Sequence, residues 1–346
     1  MSTQRLRIAL TGLVLASAAI LASCTTEPPP PPPPPPAPAI PPAISLSNVI
    51  VQDAVVFQTY MAKAAAITPN FHSGADVAQA LAVGDSVSAG QILRGEIAYA
   101  AIAALQDPNY VASVRAFAAD AQSREQLTAT IIANPGYAVA FNGSDTAAGL
   151  AMAAVGPQGR KLYDAGGAMK QFAYDVQHQD WSKASIIDRP GRLAGAKLAG
   201  ANNTVASVDA VNSLHAAAVG QSPLPLRGEP VSAPYSPVIV RGLAVAALAA
   251  LGEAGDENLM TLAPLLSDGP AATCLNTAKL NLYQCLAVAR PHYEDVFCLG
   301  QHIMSDTGQC VMIASGAPMP QVVPVAPPPA PAPPPKPAKA KHHRAK

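Results

Sequence analysis

Four cysteines, Cys274, Cys285, Cys298 and Cys310, fall within 37 residues of one another. Two chemistries suit such a cluster: a pair of disulfides, or a zinc site completed by His292 and His302. Cys298 and His302 are one helical turn apart, as two ligands on one helix would be. No Cys-x-x-Cys pair is present, and that weighs against zinc. For disulfides, local pattern restricts the pairing. Leu275, Ala278, Leu282 and Leu286 predict one helix over 271–289, opened by Gly269-Pro270. On it Cys274 and Cys285 are about 16 Å apart along the axis, whereas a disulfide needs Cα atoms within about 7 Å. A break at Arg290-Pro291 and a second helix from Tyr293 to Met304 fold the segment into an antiparallel hairpin. Facing residues then share an index sum, 583 for Cys285 with Cys298 and 584 for Cys274 with Cys310. Those two pairs are expected, the outer one on condition that the chain carries on past Gly308.

Other reactive groups are isolated. There is no G-x-S-x-G, S-x-x-K, H-E-x-x-H, phosphate-binding glycine loop or calcium loop. A helical hydrolase acting on peptidoglycan through a single carboxylic acid would need a partly desolvated Asp or Glu. Glu96 is the nominee, because it opens the apolar stretch Ile97–Leu105. The plainer reading places Glu96 in the first turn of a helix, near Arg94 and favoured by the helix dipole. Trp181, with His178 and Tyr174, could line a sugar site or simply close a helix end against the core. Nothing in the sequence asks for a cofactor.

The N-terminal leader says more. Residues 1–24 combine Arg5 and Arg7, an apolar run from Ile8 to Leu21, and the sequence Leu21-Ala22-Ser23-Cys24. The run is short for a bilayer span and reads as an export signal over residues 1–23. Its last four residues resemble the lipobox of bacterial lipoproteins. The resemblance implies that the Cys24 thiol is acylated, that cleavage falls just before it, and that Cys24 begins the mature chain. Thr25 stands where an Asp would imply inner-membrane retention, so the resemblance implies an outer-membrane anchor with the body facing the periplasm. Export to an oxidising compartment strengthens the case for disulfides. The stapled hairpin looks like those of twin-cysteine proteins, although its spacings depart from that family's regular pattern.

The elements around these residues are read from composition and period. Of 36 prolines, 12 lie in residues 28–42 and 11 in residues 317–337, so the proline-rich segments flank a body of about 270 residues, long enough for a sizeable core. The formal charge is zero, which excludes a generally basic nucleic-acid binder. Five of the 22 bases are nevertheless Lys336, Lys339, Lys341, Arg344 and Lys346, beside His342 and His343. With Arg5 and Arg7 also set aside, 15 bases face 22 acids, so a mildly acidic body carries a basic arm. Residues 24–44 read as a linker whose proline run in polyproline II would span about 45 Å. The tail, 317–346, cannot bury enough apolar surface to fold, and its basic end would be drawn to polyanions.

Within the body the pattern is helical throughout. Asn48–Ile67 has apolar residues at helical spacing and stops at Thr68-Pro69. Asp107-Pro108 caps a helix facing inward through Val111, Val114 and Ala118. Ser123-x-x-Gln126 predicts a capping box for a helix ending at Asn134-Pro135-Gly136. Leu162, Ala165, Met169, Phe172 and Val176 mark a longer amphipathic helix, and Val205, Val208, Val211 and Leu214 a weaker one. Val238–Leu251 is the most apolar stretch, but with Arg241 inside it reads as a core helix rather than a span. Residues 221–235 carry four prolines and read as a boundary between a main domain, 45–220, and a four-cysteine subdomain, 236–316. The expected fold is all-α: a multi-helix orthogonal array with a stapled C-terminal hairpin between disordered proline-rich ends. The expected function is a non-enzymatic tether between outer membrane and cell wall or another envelope polyanion. The Glu96 hydrolase is the alternative.

Overall fold

The computed structural model describes residues 42–320, so Cys24, most of the linker and the basic tail lie outside the described residues. The chain passes through α1 (Asn48–Ala65), α2 (Gly74–Gly84), α3 (Ala89–Ala104), α4 (Pro108–Ala116) and α5 (Ala121–Ala133). A 3-10 turn at Pro135–Ala140 leads into α6 (Ser144–Val176), then α7 (Asp180–Lys183), α8 (Arg189–Ala201) and α9 (Val208–Ala218). After the inner proline-rich stretch come α10 (Pro237–Ala250), α11 (Leu259–Leu262), α12 (Gly269–Val288) and α13 (His292–Cys298). A π-helical segment, Leu299–Asp306, joins α13 to α14 (Thr307–Ser315). Among the described residues there is no strand, only two isolated bridges. The fold is all-α.

Short polar residues start most of these helices by accepting from orphan N–H groups of the first turn. Ser47, Ser88, Asp107, Ser207, Ser236 and Asp268 do so, and Ser73 with Asp76 forms a reciprocal capping box on α2. The box expected at Ser123 does not form. Asp120 accepts from the Ser123 N–H at 2.9 Å and opens α5 at Ala121, placing Ser123 within the first turn.

Two helices are apolar on nearly every side and therefore lie at the centre. Only Gly90 and Arg94 of α3 escape full burial, and α10 is buried except at Pro237, Val240 and Arg241. Arg241 reaches the edge of the core, where its guanidinium donates to the Pro264 carbonyl at 2.9 Å. α1, α6 and α12 pack around this pair. No helix among the described residues is long and apolar enough to cross a membrane.

The helices before and after residues 221–235 share one hydrophobic core, so that stretch does not separate two domains. It lies against the body instead. Leu224, Leu226, Val231 and Tyr235 pack on the core, the Leu224 N–H donates to Gln106 at 3.1 Å, and the Val231 N–H donates to the Asp145 carbonyl at 3.1 Å. The weak helix also differs from expectation: α9 begins at Val208, and Val205 and Val208 are exposed, with Leu214 the residue that anchors it.

The second cysteine-bearing helix is longer than expected, because α13, the π segment and α14 form one rod from His292 to Ser315. Gly308 does not break it. Gly308 faces Gly159 of α6, where a Cβ on Gly308 would lie 2.5 Å from the Tyr163 nitrogen, and Gly300 faces Gly166 in the same way. Glycine at these points lets two helix backbones touch.

Candidate functional site

All four C-terminal cysteines are oxidised, Cys285 with Cys298 and Cys274 with Cys310, each pair with Cα atoms 5.7 Å apart. The cysteines are 11 residues apart on α12 but 12 apart on the rod. A π-helical segment carries extra residues per turn relative to an α-helix. Leu299–Asp306, lying between Cys298 and Cys310, takes up that one-residue mismatch and aligns both pairs. The disulfides leave no thiolate for zinc. His302 Nδ1 lies 2.8 Å from Asp306, and the His292 ring fills the space beside Gly74. Among the described residues no three His, Cys, Asp or Glu side chains gather as a metal site.

Glu96 is not in a first turn. It lies mid-way along α3, fully buried, with neither carboxyl oxygen hydrogen-bonded. Burial, and then the nearby Asp268 carboxylate, push its pKa well above the usual carboxylate range. That protonation state would suit a general acid. However, Glu96 does not line the aromatic pocket of α6 and α13 or the clefts beside Thr204, Lys279 and Pro157.

The aromatic trio expected around Trp181 is only partly assembled. Trp181 is half-buried and its indole N–H donates to Gln179 at 2.6 Å, while His178 is exposed. Tyr174 instead meets two aromatic residues from α13. Tyr174, Tyr293 and Phe297 line a pocket of about 300 Å³ with Val288, Gln177 and Glu294. The Tyr174 and Phe297 rings meet edge to face, with centroids 6.1 Å apart. The inner disulfide forms part of the floor through Cys285. Tyr174 is 55% exposed and Val288 72% exposed, so large apolar surface stands open at the rim. No family model, curated protein or solved structure matches this chain. The site therefore rests on its own geometry.

A buried ion pair holds the α13 side of this pocket. Arg192 Nη1 lies 2.6 and 2.7 Å from the two oxygens of Asp295, and its Nη2 donates to the Leu286 carbonyl. Burial pushes the Asp295 carboxyl up to about 6, outweighing the guanidinium that favours its charged form. Sequence alone names Tyr174 only beside Trp181 and His178, neither of which lines this pocket. Tyr293 and Phe297 carry no comparable signal, because the antiparallel rod brings them there from more than a hundred residues away.

A second feature concerns where the described chain begins and ends. The Pro42 carbonyl accepts from Arg115 at 2.8 Å, the same guanidinium donates to Ala250, and the Ser45 N–H donates to Ala249. The N-terminal side therefore meets the body at the end of α10. At the other extremity Ser236, the N-cap of α10, donates its hydroxyl to the Ala314 carbonyl, and Ala317 lies against Gly156 of α6. Fourteen helical residues separate the two points, about 20 Å.

Proposed function

We propose that this chain is a lipid-anchored envelope protein that ties the outer membrane to the cell wall, or to another envelope polyanion, without a catalytic step of its own. Cys24 carries the lipid, residues 24–44 hold the body away from the bilayer, and Lys336, Lys339, Lys341, Arg344 and Lys346 make the polyanion contact. One observation supports this reading best: the two flanking segments join the body at opposite ends of α10, so the folded part acts as a spacer block between two arms. Electrostatic attachment through five bases weakens steeply with salt, because charges in solvent are screened within about 8 Å at physiological ionic strength. The hydrolase alternative has no comparable support, since the Glu96 carboxyl is fully buried in α3.

The test is co-sedimentation of the mature chain with purified sacculi, with and without residues 336–346. Binding that is lost on deletion and at high salt is expected; unchanged binding at low salt would overturn the wall contact. Mass spectrometry of the mature N-terminus and fractionation of a Cys24→Ala variant test the anchor. Turnover of sacculi by the wild type that disappears in Glu96→Gln would favour the hydrolase.

A further inference from the structure

The aromatic pocket beside the inner disulfide has no occupant among the described residues, and the chain carries a segment of fitting chemistry within reach. We propose that the pocket formed by Tyr174, Tyr293 and Phe297 docks the proline-rich run Pro327–Pro335 of the same chain. Extended proline segments are recognised by aromatic-lined grooves, because the polyproline II form is already ordered and the rings stack against its flat faces. Of the pocket's lining, three residues are aromatic and four more, Ala173, Cys285, Val288 and Ala289, are apolar, so its polar groups are Gln177, Glu294 and the hydroxyls at the tips of the two tyrosine rings. That suits prolines better than a hydroxyl-rich ligand.

Reach is set by where the chain leaves the body. Ala317 and Pro318 line a shallow groove on α6 with Met152, Gly156, Pro157 and Arg160. Tyr174 lies eighteen residues beyond Gly156 on the same helix, five full turns, so it is on the same side and about 27 Å away. At about 3.1 Å per residue, some nine residues past Ala317 cover that distance. Every proline from Pro327 onward can therefore reach the pocket. With Pro333, Pro334 and Pro335 across the rings, Lys336 comes beside Glu294, which lines the pocket, and exposed Asp175, the neighbour of Tyr174. A segment joined to its site by so short a connection has an effective concentration in the millimolar range, so weak contacts suffice to hold it. Docking would fix the end of α6 from which residues 336–346 project, and it does not depend on what those residues bind.

The experiment uses the full mature chain, with the photo-cross-linker p-benzoylphenylalanine placed at Val288 on the pocket rim, leaving all three rings intact. An equal mixture of ¹⁴N- and ¹⁵N-labelled protein separates cross-links within one chain from those between chains. The expected product joins position 288 to residues 327–336 of the same chain. Its yield should fall at least fivefold in the triple variant Pro333→Ser, Pro334→Ser, Pro335→Ser, which leaves the folded body untouched. Tyr174→Ala should lower it as well. Products confined to residues 28–41, products found only between two chains, or an intrachain yield unmoved by the proline changes would each overturn the proposal.

Discussion

Where α3 crosses α10, small side chains meet: a Cβ on Gly242 would lie 2.8 Å from the Ala100 methyl, and alanines occupy most of the buried positions around it. Where α12 meets the rod of residues 292–315, two disulfides join the helices, and a buried ion pair ties each to a neighbour: Asp295 of the rod to Arg192 of α8, and Lys279 of α12 to Asp85 at the end of α2. The first region is held by exclusion of water and close packing, both of which act only once the helices are together. The second is constrained even when unfolded, because its cross-links shorten the loops of the denatured chain. α3 touches both regions, since Glu96 faces Asp268, the N-cap of α12. The contrast teaches that the alanine-rich centre is sensitive to added volume, whereas the hairpin is sensitive to reduction as well.

The largest effect is expected in the hairpin. Replacing Cys274 and Cys310 together by Ala should cost about 3–4 kcal/mol, and Cys285 with Cys298 about 3 kcal/mol, in the chain-entropy account. Urea unfolding of each double variant measures this; losses under 1 kcal/mol would mean that packing alone holds the rod. In the centre, Gly95→Ala should cost about 2–3 kcal/mol by overpacking, because its Cβ would come 2.3 Å from the Asp53 carbonyl oxygen and 2.6 Å from Phe57. A variant as stable as wild type would show that α1 and α3 can separate freely.

The seam between the regions should respond to pH. The folded state holds the Glu96 proton more tightly than the unfolded chain does, so this stability is full below the ordinary Glu pKa of 4.5 and is lost as pH rises toward the folded value. Relative to Glu96→Gln, wild type should weaken by about 1.4 kcal/mol per pH unit over that window. Denaturant midpoints of both proteins from pH 5 to 8 give the difference directly; parallel curves would disprove it. Asp295, at about 6, contributes equally to both and cancels. The smallest change is a gain: Gly167→Ala, with nothing within 4 Å of the new Cβ on an exposed turn of α6, should stabilise by up to about 1 kcal/mol. A thermal melt that moves down instead would reveal an unseen contact there.

What could be read in advance follows from how local each cause is. The disulfide pairing was legible because helical rise forbids Cys274 from meeting Cys285 and the index sums of an antiparallel hairpin then select the nested pairs. The Asp107 cap was legible because a cap needs only its own first turn. At α5 two caps competed three residues apart, and the spacing of Ser123 and Gln126 did not show that Asp120 would take the Ser123 N–H. α6 runs on through Pro157, whose exposed ring sits over solvent while Gly156 and Gly159 face α14, so a residue that usually ends helices does not end this one. Residues 221–235 look like a linker by composition, but their contacts with Gln106 and Asp145 come from distant helices. The same limit applies to the candidate site. Tyr174 was legible only as a companion of Trp181 and His178, and its actual partners, Tyr293 and Phe297, depend on tertiary placement.

The outer disulfide has a mechanical consequence. If the body is pulled by its two flanking segments, the tail draws on Ala317, and only the few residues back to Cys310 can unravel before the load meets a covalent bond. From Cys310 the force passes directly to Cys274, bypassing the chain between them. Sequence separation across that bond is 36 residues, so about 120 Å of extended chain is withheld from any stretch. Reduction would release it, adding that length to what a pull from the tail side can draw out.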